Sequence, residues 1–302
     1  MIGFVFPGQG TVRVGMGAWL RRDPVGGAVV RRADELLPEP IGPLCARGPL
    51  PRLVDTAYAQ PAVTACNLAA LSVLRDRGHR PDVVAGHSVG ELSALCAAGV
   101  LDIDTTIRLV GARSRLMAEL AESGAMVSVL GLPVERVEHL TAQASAPGEP
   151  LVVGLENAAD QIVVSGSVRA IDRFTTAATG EARKIVSLKV SNAFHSPLMV
   201  GAVDGWAEVV RATVVRPPEI PVIPNVTAEP TTDLPTIVDA LIEQLTGRVR
   251  WARTMRVLSD VDHCVEVGDS KALTGMLRTE GVRCVSMSAP TSLRTLAETA
   301  GT

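Results

Sequence analysis

The sequence predicts an α/β protein in two parts, a large domain interrupted by a small ferredoxin-like one. Three observations carry this prediction. Short apolar strands recur near both ends of the chain, each with a helical stretch nearby. A glycine-punctuated strand-turn-helix surrounds residue 88. Between residues 125 and 190 the pattern shortens into the order β-α-β-β-α-β.

Taken in order, residues 2–6 form an apolar run ending in Pro7-Gly8-Gln9-Gly10, which reads as a buried strand delivering a tight turn. Residues 83–85 read as a second strand, ending in Gly86-His87-Ser88-Val89-Gly90, with a helix over 91–98 behind it. Asp104 is expected to cap a further helix running through Leu109, Arg113 and Met117. The middle segment predicts strands at 126–130, 151–155, 162–164 and 184–190, with helices at 133–143 and 168–178. Apolar strands return at 220–223, 264–267 and 284–287, so the large domain is expected over 1–124 and 192–302 and the small one over 125–191.

Bulk properties narrow the function classes. The chain has 302 residues, 47% of them apolar and 20% charged, enough for a sizeable buried core. A net charge of −3 argues against a general nucleic-acid binder, which carries a strongly basic face. No basic leader precedes a long apolar run, so a soluble, cytoplasmic protein without a membrane partner is expected. Met1 lies directly before the first strand, the pattern of a discrete polypeptide. The five cysteines are scattered without a C-x-x-C pair and read as small buried apolar residues, with no metal site.

Gly86-x-Ser88-x-Gly90 between a strand and a helix has the form of a nucleophile elbow. The glycines allow a strained turn in which flanking side chains would clash, and the adjacent helix start favours developing negative charge. A serine hydroxyl needs a base within hydrogen-bond reach. Of the five histidines, His79, His139 and His263 sit in settings that fit surface or packing roles. His195 lies where the chain re-enters the large domain, and is the best candidate base.

These pieces resemble the malonyl-CoA:acyl carrier protein transacylase family, which includes the acyltransferase domains of polyketide synthases. The matching segments are Phe6-Pro7-Gly8-Gln9-Gly10, Gln60-Pro61-Ala62, Gly86-His87-Ser88-Val89-Gly90-Glu91, Arg113, Gly124-Ala125-Met126, Phe194-His195-Ser196-Pro197-Leu198-Met199, Pro224-Asn225-Val226-Thr227, Gln244-Leu245, Val249-Arg250-Trp251 and Glu266-Val267-Gly268. They follow family order across nearly the whole chain. The resemblance implies an α/β-hydrolase-like large domain around the ferredoxin-like insert. It implies that Ser88 is acylated, that His195 is its base, and that the backbone carbonyl of Gln244 orients the imidazole. The N–H groups of Gln9 and Val89 would form the oxyanion hole, and Arg113 would pair with the free carboxylate of a malonyl group.

Met117 and Phe194 would line the acyl pocket, with His87 and Asn192 also among the substrate-binding positions. No cofactor is implied; coenzyme A arrives as the thioester, and the partner is an acyl carrier protein with its phosphopantetheine arm. Ala193 and Phe194 resemble the malonyl-type motif His-Ala-Phe-His more than the methylmalonyl-type Tyr-Ala-Ser-His. Asn192 departs from it, which leaves an α-substituted malonyl unit with a polar substituent as an alternative. Val12, Asp269-Ser270 and Asn157-Ala158-Ala159 depart at other family positions and lean the reading toward a divergent member of polyketide biosynthesis. Two alternatives stand beside it: a hydrolase that clears acyl groups from carrier proteins with the same dyad, and a non-catalytic docking module. Arg183, Lys184 and Lys189 are the basic residues expected at the rim where an acidic carrier protein would dock.

Overall fold

The computed structural model describes residues 1–120, 124–190, 192–214 and 216–300; Ser191, the last residue assigned above to the small domain, lies outside the described residues. Nine strands are described, in chain order β1 Ile2–Phe6, β2 Val83–Gly86, β3 Ala125–Leu130, β4 Leu151–Ala158, β5 Gln161–Gly166, β6 Lys184–Ser187, β7 Val222–Ile223, β8 His263–Glu266 and β9 Cys284–Ser286. They form two sheets.

The first sheet has the order β7-β2-β1-β8-β9, with every neighbouring pair parallel. Parallel strands covered on both faces are apolar without alternation, and β1 (Ile-Gly-Phe-Val-Phe) and β2 (Val-Val-Ala-Gly) are of that kind, buried almost throughout. Helices Pro24–Leu36, Thr56–Asp76 and Ile103–Ala118 pack together in the large part. Thr56–Asp76 is long and apolar enough to cross a membrane, yet 83% of its most apolar 18 residues lie buried inside the protein.

The second sheet is antiparallel throughout, in the order β4-β5-β3-β6. Helices Val134–Ala144 and Val168–Ala178 complete the predicted ferredoxin-like order, and Ser167 caps the second by accepting from the Ala170 N–H. Apolar residues at helical spacing, Ala170, Ile171, Phe174 and Ala178, face a core separate from that of the large part, shared with Val129 and Ile162. The chain is thus an α/β-hydrolase-like large domain carrying a ferredoxin-like insert.

Two details differ from expectation. The long helix begins at Ile103, and its cap is Asp102, whose extended backbone lets the side chain accept the Thr105 N–H at 2.7 Å. Asp104 instead lies inside the first turn and pairs with Arg32. The last small-domain strand ends at Ser187, short of Val190; Leu188 still donates its N–H to the Met126 carbonyl, the Val190 N–H turns back to Leu188, and residues 188–190 line the central cavity.

The two parts are stitched beside the cleft. Val249 exchanges hydrogen bonds with β4, its N–H donating to Gly154 and its carbonyl accepting from Glu156. Ser165 of β5 donates its hydroxyl to the Phe194 carbonyl at 2.6 Å. The insert therefore holds the segment that carries His195.

Because the insert has its own core, Phe174→Ala should cost about 3–5 kcal/mol there. Hydrogen exchange should speed up across residues 125–187 while β1 and β2 stay protected. Equal loss of protection in both sheets would show that the two cores unfold as one.

Candidate active site

The site is built where β2 runs into helix Gly90–Ala97. Ser88 sits between them with φ of +54°, a backbone region that L residues avoid. The glycines on either side are required by close approach. A Cβ on Gly86 would overlap the backbone of Gly90 and Glu91, and one on Gly90 would overlap the Phe6 carbonyl. His195 is the second strained residue, with φ of +57°. It lies just before the 3-10 turn Pro197–Ala202, whose cap is Ser196.

The two strained residues meet. Ser88 Oγ and His195 Nε2 are 2.8 Å apart, and His195 Nδ1 lies 2.8 Å from the backbone carbonyl of Gln244. A carbonyl only accepts, so Nδ1 carries the hydrogen and Nε2 is left with its lone pair toward the serine. His195 is 2% exposed. Burial, and then the Arg113 cation, push its pKa down to about 3, so the imidazole is neutral, with the Nε2 lone pair toward the serine hydroxyl.

Two backbone amides expected at the site are placed differently: Gln9 lines the cavity, whereas Val89, next to Ser88 in the chain, does not. Gln9 opens the short 3-10 turn Gln9–Thr11 after β1, and Val89 precedes the helix at Gly90. Neither N–H has a hydrogen-bond partner among the described residues, as befits groups at helix starts.

Arg113, from helix Ile103–Ala118, is 1% exposed. Its guanidinium donates to two amide oxygens, Gln60 Oε1 at 2.5 Å and Gln244 Oε1 at 2.9 Å. It forms no ion pair among the described residues, and its buried Nε has no partner. Burial lowers its pKa to about 10, with Glu91 opposing, so it remains a cation.

A cavity of about 400 Å³ joins these groups. Ser88, His195, Gln9, Arg113, Met117, Phe194 and His87 all line it. His87 is held by Asn157, with Nε2 to Oδ1 at 2.8 Å, and by an edge contact with Trp251. Asn192 is placed differently: it is buried, donates Nδ2 to the Met117 carbonyl at 2.8 Å, and does not line the cavity. Lys189 lines it, whereas Arg183 is paired with Asp160.

Sequence reasoning attached no chemistry to Gln60, Glu91, Asn157 or Asn225, although all four are buried or border the cavity. A signal was available. Gln60 is a polar residue in an otherwise uncharged helical stretch, and Glu91 follows directly on the elbow.

The depressed pKa of His195 has a consequence for stability. Its folded pKa of about 3 lies below the ordinary 6.5, so the unfolded chain binds the proton more readily. The contribution is intact above about pH 6.5 and is lost as pH falls toward 3. His195→Gln should therefore gain about 3 kcal/mol relative to wild type between about pH 7 and pH 4. Parallel loss in both proteins, measured by denaturant unfolding, would contradict this.

Comparison with known proteins places the arrangement. Residues 3–266 match the acyl transferase domain family. The chain is 36% identical over 278 residues to a malonyl CoA-acyl carrier protein transacylase of Synechocystis, covering 91% of this chain and 92% of that protein. It superposes on an acyl-carrier-protein-S-malonyltransferase from Bartonella henselae with a TM-score of 0.94 and 32% identity, covering 100% and 99% of the two chains. A malonyl-transacylase solved in complex with its type II polyketide synthase acyl-carrier protein also matches with a TM-score of 0.94, at 32% identity and 99% coverage of both. The chain therefore belongs to the acyl transferase domain family, within the group of malonyl-CoA:acyl carrier protein transacylases.

Proposed function

We propose that this enzyme moves a malonyl-type acyl group from coenzyme A to the phosphopantetheine thiol of an acyl carrier protein, through an ester on Ser88. The observation that carries the reading is Arg113, a buried cation facing the cavity of Ser88 and His195 and neutralised by no carboxylate of the described residues. A carboxylated acyl group supplies the missing anion, in the planar bidentate contact that guanidinium favours.

In the first half-reaction Ser88 Oγ attacks the thioester carbonyl while His195 Nε2 takes its proton. Gln9 and Val89 N–H groups stabilise the oxyanion, each such donor contributing about 3 kcal/mol. The carbon–sulfur bond breaks, and the coenzyme A sulfur leaves with the proton from His195. The second half runs in reverse. His195 takes the proton of the carrier thiol, the sulfur attacks the ester, and Ser88 recovers its hydrogen. Between the halves the acyl carboxylate offsets Arg113, which removes one of the three influences, after burial and beside His87, that hold the imidazole's basicity down.

Met117 and Phe194 bound the acyl end of the cavity, and the phenyl ring fills space that an α-branch would need. Lys189, on the cavity wall, is the basic residue best placed to meet the acidic carrier protein. We assign the activity to polyketide biosynthesis on the departures at Val12, Asn157-Ala158-Ala159 and Asp269-Ser270, and the setting we propose is the cytoplasm.

Incubation with malonyl-CoA should give an intact mass increased by one malonyl group, absent in Ser88→Ala and discharged onto an added holo carrier protein. Release as free malonate without transfer would overturn the reading in favour of hydrolysis. Arg113→Ala should lower kcat/KM for malonyl-CoA by about 30-fold or more, as for loss of one partner of a buried charge pair, and leave acetyl-CoA far less affected. An unchanged malonyl-over-acetyl preference would remove Arg113 from acyl selection.

A further inference from the structure

Beneath the cavity lies a carboxyl group that the mechanism above does not use. Glu91, in the first turn of the helix after Ser88, is 1% exposed. Its Oε2 accepts two hydrogen bonds, from the Asn225 N–H at 2.9 Å and from Gln244 Nε2 at 2.7 Å; its Oε1 is buried without a partner among the described residues. Both donors belong to residues that touch the site directly. Asn225 Oδ1 accepts the Ser88 N–H at 2.7 Å, and its Nδ2 donates to the Gly86 carbonyl at 2.5 Å. Gln244 holds His195 through its backbone carbonyl and Arg113 through its side-chain oxygen.

A glutamine amide has a donor end and an acceptor end, and nothing in its shape decides which faces which neighbour. Here the neighbours decide. A guanidinium only donates, so Oε1 must face Arg113 and the NH₂ must face Glu91. Burial raises the Glu91 pKa to about 7, and Oε2, which also accepts the Asn225 N–H, is an acceptor whether the carboxyl is ionised or protonated at Oε1. The reverse orientation would set oxygen against oxygen and N–H against N–H. In a water-excluded pocket both mismatches are costly, because neither group can turn to solvent.

We propose that Glu91 is a positioning residue that locks the Gln244 amide, and so fixes the Arg113 guanidinium for the acyl carboxylate and the elbow for His195 as one unit. The proposal rests on the acyl-transfer reading and adds to it a residue outside the dyad that sets acyl selectivity. Glu91 touches no substrate; it acts through Gln244 and Asn225. The requirement is for an acceptor at Oε2. Glutamine at 91 can supply it from its own Oε1, and its NH₂ would take the place of the unpartnered carboxylate oxygen. Methionine fills similar volume but offers no comparable acceptor.

The test compares Glu91→Gln and Glu91→Met by the ratio of kcat/KM for malonyl-CoA to that for acetyl-CoA. The ratio is taken on one preparation of each protein, so partial unfolding cancels. Loss of a hydrogen bond to a charged group is worth about tenfold or more. The Met variant should lose that much of the ratio, since acetyl has no carboxylate for Arg113 to hold, while the Gln variant stays within about threefold of wild type. A Met variant with the wild-type ratio, or a Gln variant that falls as far as Met, overturns the proposal. Should wild type itself form no Ser88 ester with malonyl-CoA, the acyl-transfer reading fails first; with that ester formed, an unmoved ratio in the Met variant sinks only the role of Glu91.

Discussion

Burying a guanidinium with no carboxylate in contact is the constraint around which this site is organised. An isolated buried charge costs several kcal/mol, and a direct ion pair would offset most of that. The protein uses amide oxygens from Gln60 and Gln244 instead, with the nearest carboxyl, Glu91, one hydrogen-bonded residue further away. The difference matters electrostatically. A contacting carboxylate would cancel the positive field in the cavity, whereas amide dipoles stabilise Arg113 and leave its charge available to an incoming anion. That uncancelled charge is what the proposed acidic acyl group would meet.

The same chain of hydrogen bonds explains how two unfavourable backbone conformations persist. Ser88 and His195 are two of the three described non-glycine residues with positive φ, the third being Ala228. Such residues endure only where their surroundings over-determine them. At Ser88 the surroundings are the glycine contacts with the β1 backbone and Asn225, which grips the elbow at Gly86 and Ser88. At His195 they are the Gln244 carbonyl and the small-domain strand that holds the neighbouring Phe194 carbonyl. Strain and orientation are supplied together, so the His195 imidazole reaches the Ser88 hydroxyl without a carboxylate on its far side.

The insert has a part in this beyond covering the cleft. Its strands β4 and β5 bond to segments at 249 and 194, and its departing chain at 188–190 forms one wall of the cavity. A separate small core gives these contacts a rigid base. Leu188 still donates its N–H to Met126 of β3, and it, Lys189 and Val190 join residues of β3, β4 and β5 in lining the cavity.

Local patterns were legible because local sterics and periodicity produce them. The apolar runs of β1 and β2, the glycines around Ser88 and the β-α-β-β-α-β order all announce themselves within a few residues of chain. Boundaries were less so: Asp102 and Asp104 are both good caps, and only the backbone geometry at 102 selects between them. The family motifs carried Ser88, His195 and Arg113 into one site, and Asn192 into it as well, whereas the fold turns that side chain to the Met117 carbonyl. Gln60 and Glu91 stood out locally, but the hydrogen bonds that give them and Asn225 a place in the site span between 53 and 153 positions of chain. What the sequence by itself determined was which segments turn, pair and bury, for those follow from short-range sterics and apolar spacing. Which polar groups meet in the dark beneath the elbow was decided only by the tertiary structure, because a buried hydrogen bond depends on where distant backbones are carried, not on the residues beside it in the chain.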